Sequence, residues 1–148
     1  MQNRVRPKIF GVGFNKTGTT TLAACLKHFG FRHLGHRRDL LVAFRHGDLA
    51  RVFQETDRFD SFDDWPYPLM YEDLFKQYGA RAKFILTMRQ SSEVWLNSLK
   101  AHALITNPEN HSRKLAYGYD YPHGREAEHI AMYEAHNAAV KNFFTKNN

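Results

Sequence analysis

The sequence predicts a three-layer α/β domain, with a mainly parallel sheet flanked by helices. Two apolar runs carry the strand signal, Ile9-Phe10-Gly11-Val12-Gly13-Phe14 and Ala82-Lys83-Phe84-Ile85-Leu86-Thr87-Met88, and each is followed by apolar residues at helical spacing. Strands that alternate with helices are joined by crossovers, which favours parallel pairing. A compact chain of 148 residues hides roughly 68–70% of its unfolded surface, which is enough for one core.

The elements follow in order. Met1 to Lys8 is polar and basic and leads into the first strand, expected over Ile9 to Phe14. From Thr20 onward Leu22, Cys25, Leu26 and Phe29 share one helical face, so Cys25 is expected in the core, and Gly30 supplies the stop. Phe31 to Leu34 reads as a short strand, and Asp39 to Phe53 as a helix broken near Gly47-Asp48. Phe59 to Asp63 alternates apolar with polar, an extended segment that ends in the turn-like Asp64-Trp65-Pro66-Tyr67-Pro68. A helix is expected over Leu69 to Tyr78, then a second central strand over Lys83 to Met88, then a helix marked by Val94, Trp95, Ser98 and Leu99. Thr106 to Gly124 is rich in Asn, Pro, Tyr, His and Gly and reads as a loop or lid. Arg125 to Phe144 resumes as a helix, with Ile130, Tyr133, Val140 and Phe144 toward the core.

Hydrophobic residues at 43% and charged residues at 24% are ordinary globular usage, so disorder is not the expectation. No stretch approaches the ~20 apolar residues of a membrane span, and no basic start leads into an apolar run and a cleavage site. A soluble, cytoplasmic chain without stable membrane insertion is expected. The single Cys25 rules out an internal disulfide framework and offers no metal-ligand spacing. A net charge of +6 favours an anionic partner. The basic residues are scattered, with one cluster at Arg32, His33, His36, Arg37 and Arg38, and no long Lys/Arg run argues for nucleic acid.

Gly13-Phe14-Asn15-Lys16-Thr17-Gly18-Thr19-Thr20 lies between a buried strand and a helix. Such a turn leaves backbone N–H groups pointing outward at a positive helix end, where an anion is the natural guest. Four residues separate Gly13 from Gly18, as in the NTPase pattern, but Thr19 stands where that pattern has its lysine and Lys16 lies inside the loop. The NTPase lysine reaches the β and γ phosphates of a triphosphate; a lysine placed earlier suits a shorter group.

The stretch Phe14-Asn15-Lys16-Thr17-Gly18-Thr19-Thr20-Thr21-Leu22 resembles the 5′-phosphosulfate loop of sulfotransferases that use 3′-phosphoadenosine-5′-phosphosulfate (PAPS). The resemblance continues through Phe62-Asp63-Asp64-Trp65-Pro66, then Lys83 to Arg89 with Trp95 and Ser98, and Tyr133-Glu134-Ala135-His136-Asn137. It implies a single P-loop-type domain over residues 1–148 that lacks the family's usual C-terminal segment. It also implies PAPS as donor without a metal, and a small-molecule or glycan acceptor; a homo-oligomer is left open. By the same resemblance Asn15, Lys16, Thr17, Gly18, Thr19 and Thr20 hold the 5′ end of the donor, and Arg89 and Ser98 its 3′-phosphate. Ser98 lies nine residues after Arg89 where the family spacing is eight, and Asn97 occupies that place.

Sulfuryl transfer needs in-line geometry and stabilisation of charge on the bridging oxygen, a task that falls to Lys16. A general base must reach the attacking atom, and Asp63, Asp64 and His36 are candidates that the sequence does not rank. Trp65, Tyr67, Tyr117, Tyr119 and Tyr121 are candidates for an aromatic acceptor pocket, while His136 and Asn137 are expected to be structural. Two alternatives stand beside a sulfotransferase: a silent nucleotide-binding module derived from one, and a small P-loop kinase.

Overall fold

The computed structural model describes residues 5–147; residues 1–4 of the basic opening lie outside them. Among the described residues four strands form one all-parallel sheet: β1 (Lys8–Gly11), β2 (His33–Leu34), β3 (Ser61–Phe62) and β4 (Ala82–Ile85), in the order β2-β3-β1-β4. The helices are α1 (Thr19–His28), α2 (Arg38–Arg45), α3 (Leu49–Thr56), α4 (Tyr71–Tyr78), α5 (Ser92–Leu104), α6 (Arg113–Tyr117) and α7 (Glu126–Lys146). None of them is long and apolar enough to cross a membrane.

The α/β class and the parallel sheet are as the sequence predicts, and β1 is central. The second strand is different. Apolar content places Lys83 to Met88 in the centre, but β4 pairs only with β1, lies at the sheet edge and ends at Ile85. Edge position explains its mixed pattern, with Lys83 and Ile85 exposed or nearly so and Phe84 turned inward. On the inward face Phe10 stacks on Phe62 at 4.8 Å and lies near Phe84 at 5.6 Å, and Phe144 of α7 closes on Phe84 at 4.5 Å. Leu40, Val52, Leu74 and Val140 complete this core. Lys8 is buried there too, its ammonium donating to the carbonyls of Thr56 at 2.9 Å and Phe59 at 2.6 Å.

α1 covers the other face. A side chain at Gly11 would meet Leu22 at 2.8 Å, so helix and strand approach as closely as they do only because that position carries no Cβ. Contact with the sheet runs along the row of Leu22 and Leu26, and Cys25 is exposed with Phe29 rather than buried as expected. Four apolar residues make a stripe wider than the surface α1 finds to cover, so one edge of it faces solvent. A second core gathers around Phe14, beyond the strand ends, from Leu41, Trp65, Trp95, Leu99, Tyr117 and Tyr133. The segment Thr106 to Gly124 is not a bare loop. It contains a 3₁₀ turn at Pro108–Asn110 and α6, and Ser112, Arg113 and Tyr117 are buried.

Candidate active site

The loop Gly13 to Thr20, the expected phosphate loop, leaves the C-terminal end of β1 and is built around a close approach. A Cβ on Gly13 would lie 2.3 Å from both the carbonyl and hydroxyl oxygens of Thr87, which forces glycine there. The Thr17 hydroxyl turns inward, donating to the Phe14 carbonyl and sharing a 2.6 Å hydrogen bond with Thr87 Oγ1. Asn15 also faces inward: its carbonyl accepts from Trp95 Nε1–H at 3.0 Å and its Oδ1 from the Tyr117 hydroxyl. Thr17 thus shapes the loop, while Asn15, Lys16, Thr19 and Thr20 line the cavity in front of it. Gly18, at φ 95°, starts α1 with no side-chain cap, and no acidic residue lies in the first turn. The positive end of the helix is therefore open to an outside anion.

α7 locks this loop from behind. His136 donates from Nε2 to the Val12 carbonyl at 2.7 Å and stacks on Phe14 at 4.3 Å, and Tyr133 stacks on Trp95 at 4.4 Å. Burial holds the His136 imidazole below its ordinary pKa, so it stays the neutral donor that this contact uses. The structural role expected of His136 is the one it has. Asn137, also expected to be structural, is buried with its Oδ1 unpaired.

In front of the loop lies a cavity of about 230 Å³, with Lys16, Thr19 and Thr20 on one side and His36, Asp64, His102 and His111 on the other. Lys16 and Asp64 both adopt positive φ, 64° and 63°. For residues other than glycine such a conformation costs about 1–3 kcal/mol, and it persists where the surroundings impose it. The adjacent aspartates part company here. Asp63 is buried and turns to His33, with Nε2 to Oδ1 at 3.2 Å, while His33 Nδ1 meets Ser61 Oγ at 2.9 Å. Asp64 faces the cavity, its Oδ1 accepting from the Trp65 amide at 2.7 Å. Desolvation raises its pKa above the ordinary carboxylate value, against opposing pulls from that amide, His36 and Lys16.

The far wall belongs to the segment 106–120, together with the end of α5. His102 Nε2 and His111 Nε2 lie 3.2 Å apart, and His36 Nε2 bonds to Ser112 Oγ. Burial, then the nearby Lys16 and Arg113 charges, lowers the His102 pKa; burial, with Arg113 the next cause, lowers that of His111 to about 4. Both imidazoles are neutral near pH 7. Buried Arg113 pins the two ends of the wall, donating to the Asp120 carbonyl at 2.6 Å and to Thr106 Oγ1 at 2.5 Å. No motif marks His102 or His111. They meet only because α5 ends where the following segment folds back.

Arg89 is exposed just past β4, its amide donating to the Tyr133 hydroxyl at 3.0 Å. It lines an open groove of about 340 Å³ with Ser91, Ser92, Asn137 and Lys141. Lys141, a second cation here, carries no sequence signal beyond its place on α7. Ser98 is half-buried on α5 and lines neither this groove nor the cavity at the loop. Of the rings expected in an aromatic pocket, Trp65 alone lines the cavity at the loop. Tyr67 and Tyr117 are buried in the cores, and Trp65, 1% exposed, packs against Phe14 and Tyr117. Rings of this size gain more from burial than a polar cavity wall can offer.

The model of the sulfotransferase domain family matches residues 8–120, from the first strand through α6, and so takes in the phosphate loop, Asp63, Asp64, Arg89 and the histidine wall. A comparison with curated proteins finds no match. With residues 8–120 matched, more than half of its length, the chain belongs to the sulfotransferase domain family.

Proposed function

We propose that the chain transfers a sulfuryl group from PAPS to a hydroxyl or amine acceptor. The observation that carries this reading is the cavity in which Lys16 and Asp64, both held at positive φ, line the space before an uncapped helix N-terminus. The residues suit the donor: Gly13 lets the loop pass against Thr87, and the open end of α1 with Lys16 suits a phosphosulfate. The groove of Arg89 and Lys141 suits the 3′-phosphate.

When bound, PAPS supplies a sulfuryl group whose bond to the bridging phosphate oxygen breaks as a bond to the acceptor forms. Lys16 neutralises charge on the departing side, where one well-placed donor is worth roughly 10²–10³ in rate. Asp64 takes the acceptor proton, and its raised pKa, caused first by burial, makes its ionised form a stronger base than an exposed carboxylate. Asp63, buried with Oδ1 3.2 Å from His33 Nε2, precedes the reversed residue Asp64 and faces away from the cavity.

Calorimetric titration with 3′-phosphoadenosine-5′-phosphate, with ATP, and with ATP plus Mg²⁺ tests the donor before any acceptor is known. Tight binding of the first without metal is the expected result; preference for ATP with Mg²⁺ would return the chain to the kinases. Arg89→Ala should weaken 3′-phosphoadenosine-5′-phosphate by about 1.5–3 kcal/mol while leaving adenosine-5′-phosphate nearly unchanged. Nucleotide binding without sulfate transfer to any of a broad acceptor panel would instead identify a silent module.

A further inference from the structure

We infer that Thr87 is a positioning residue that sets the loop Gly13 to Thr20 at one distance from Arg89, so that a nucleotide with a phosphate at each end is gripped at both. This role rests on the donor reading above, because it concerns how the two ends of that donor are held.

The ladder between β1 and β4 stops short of both segments. Its last backbone bond runs from the Val12 amide to the Ile85 carbonyl at 2.9 Å, and β4 itself ends at Ile85. Beyond that rung the two chains lead to different places. One enters the loop before α1, and the other runs through Leu86 and Thr87 to Arg89 and the open groove that Arg89 lines.

Past the rung the two segments are joined through Thr87. A Cβ on Gly13 would come within 2.3 Å of both its carbonyl and its hydroxyl oxygen, so loop and strand end touch without a side chain between them. The Thr87 hydroxyl also lies 2.6 Å from that of Thr17. The direction of this bond follows from the proton count. A threonine hydroxyl carries one proton, and that of Thr17 goes to the Phe14 carbonyl, so Thr87 donates and Thr17 accepts. A directed chain thus runs from the strand end through Thr17 to the loop's own backbone. Thr17 is 5% exposed, so its hydroxyl is committed to this chain. Thr87 lines neither the cavity at Lys16 nor the groove at Arg89, and it acts on a ligand through the segments that it joins.

Arg89 follows two residues later, with its amide anchored to the Tyr133 hydroxyl at 3.0 Å. The strand end is therefore fixed by α7 on one side and by the loop on the other. A ligand with two anionic ends reads that spacing, and a misplacement of about 1 Å in a positioned group can cost on the order of 10²-fold in rate. A methyl in place of the Thr87 hydroxyl needs about 3.3–3.6 Å from an oxygen, against the present 2.6 Å. Loop and strand end would then part by about 0.7–1 Å. A nucleotide with a single 5′-phosphate engages the loop alone and does not sense the change.

The readout is the 3′-phosphate preference, the ratio of Kd for adenosine-5′-phosphate to Kd for 3′-phosphoadenosine-5′-phosphate, measured by calorimetry on the full chain without metal. Thr87→Val should lower this ratio about tenfold while adenosine-5′-phosphate binds nearly as tightly as before. Thr87→Ser keeps the donor hydroxyl and should keep the wild-type ratio. Thr17→Ala removes the acceptor of the same bond and should lower the ratio to a similar extent. The double variant Thr17→Ala/Thr87→Val should be no worse than Thr87→Val, because both changes break one contact. A merely structural role weakens both nucleotides alike. Equal weakening of the two, or losses that multiply in the double variant, overturns the inference. Should Thr87→Val not fold, Thr17→Ala and Thr87→Ser decide: a ratio lowered in the first and kept in the second supports the role, and any other pair of results overturns it. A wild type that binds neither nucleotide brings down the donor reading and the role of Thr87 with it. A wild type that shows the preference, beside a Thr87→Val protein that keeps it, brings down the role of Thr87 alone.

Discussion

The phosphate loop is held from behind by rings, whereas the 106–120 wall that faces it across the cavity is held by imidazole, guanidinium and hydroxyl groups. Phe14, Trp95, Tyr133 and His136 pack the loop by stacking and by two hydrogen bonds to its carbonyls. Arg45, Arg113, His36 and His102 fasten the wall through polar contacts at its surface. Close-packed aromatic support holds a backbone tightly, and burial keeps its one imidazole, His136, below its ordinary pKa. Polar fastening accepts a hydrogen-bonding guest more readily and changes with protonation. One side of the cavity is thus held by ring packing, the other by hydrogen bonds.

The contrast is open to measurement, beginning with the loop. Lys16→Ala should lower sulfate transfer by about 10²–10³-fold, with the urea midpoint unchanged, because the side chain faces the cavity and supports no core contact. Wild-type-like turnover in a folded Lys16→Ala protein would remove it from the departing side. Next in size, Gly13→Ala should cost about 3 kcal/mol of stability, since the new methyl meets backbone and side-chain oxygens of Thr87 that cannot both withdraw. Urea unfolding reads this directly, and a loss under about 1 kcal/mol would mean the loop is less tightly fixed than its packing indicates.

Asp64 sits at the junction and should trade stability for activity. Its folded-state pKa is raised by burial, so the ionised form costs folding free energy. That cost sets in as pH climbs from the ordinary carboxylate value through the raised one, and it is constant above. Asp64→Asn should therefore raise the thermal midpoint at pH 7, leave it unchanged in strong acid, and abolish the acid limb of the kcat/KM profile. An activity profile in Asp64→Asn that keeps the wild-type acid limb would move the base elsewhere.

The last effect belongs to the wall and is read as a dependence on pH. The His111 pKa is depressed from 6.5 to about 4, so the neutral ring contributes stability that is present above about pH 6.5 and is lost as pH falls through 4. His111→Gln should flatten the stability curve over that interval, and thermal melts at half-unit steps of pH would show it. An equally steep fall in the variant would assign the acid sensitivity to another group.

How much of this is legible in the sequence varies residue by residue. Gly13, Lys16, Gly18 and the strand before them are readable because a phosphate loop is local: its turn, its helix start and its lysine lie within eight consecutive residues. The central place of β1 and the parallel sheet follow from apolar runs alternating with helical spacing. Asp63-Asp64 can be found but not ranked, because which carboxylate meets His33 and which meets the cavity depends on a backbone reversal at φ 63°. Periodicity misplaces Cys25, since it counts apolar residues but not the elements available to cover them.

What the sequence determined by itself is therefore the glycine loop and its lysine, where turn, helix start and side chain are written in neighbouring residues. Tertiary structure alone decided the edge position of β4, the burial of Trp65, Tyr67 and Tyr117 in the cores, and the meeting of His36, Asp64, His102 and His111 around one cavity. These outcomes depend on contacts between residues tens of positions apart. No local spacing encodes them, because they are settled by which surfaces compete most strongly for burial once the chain has closed on itself.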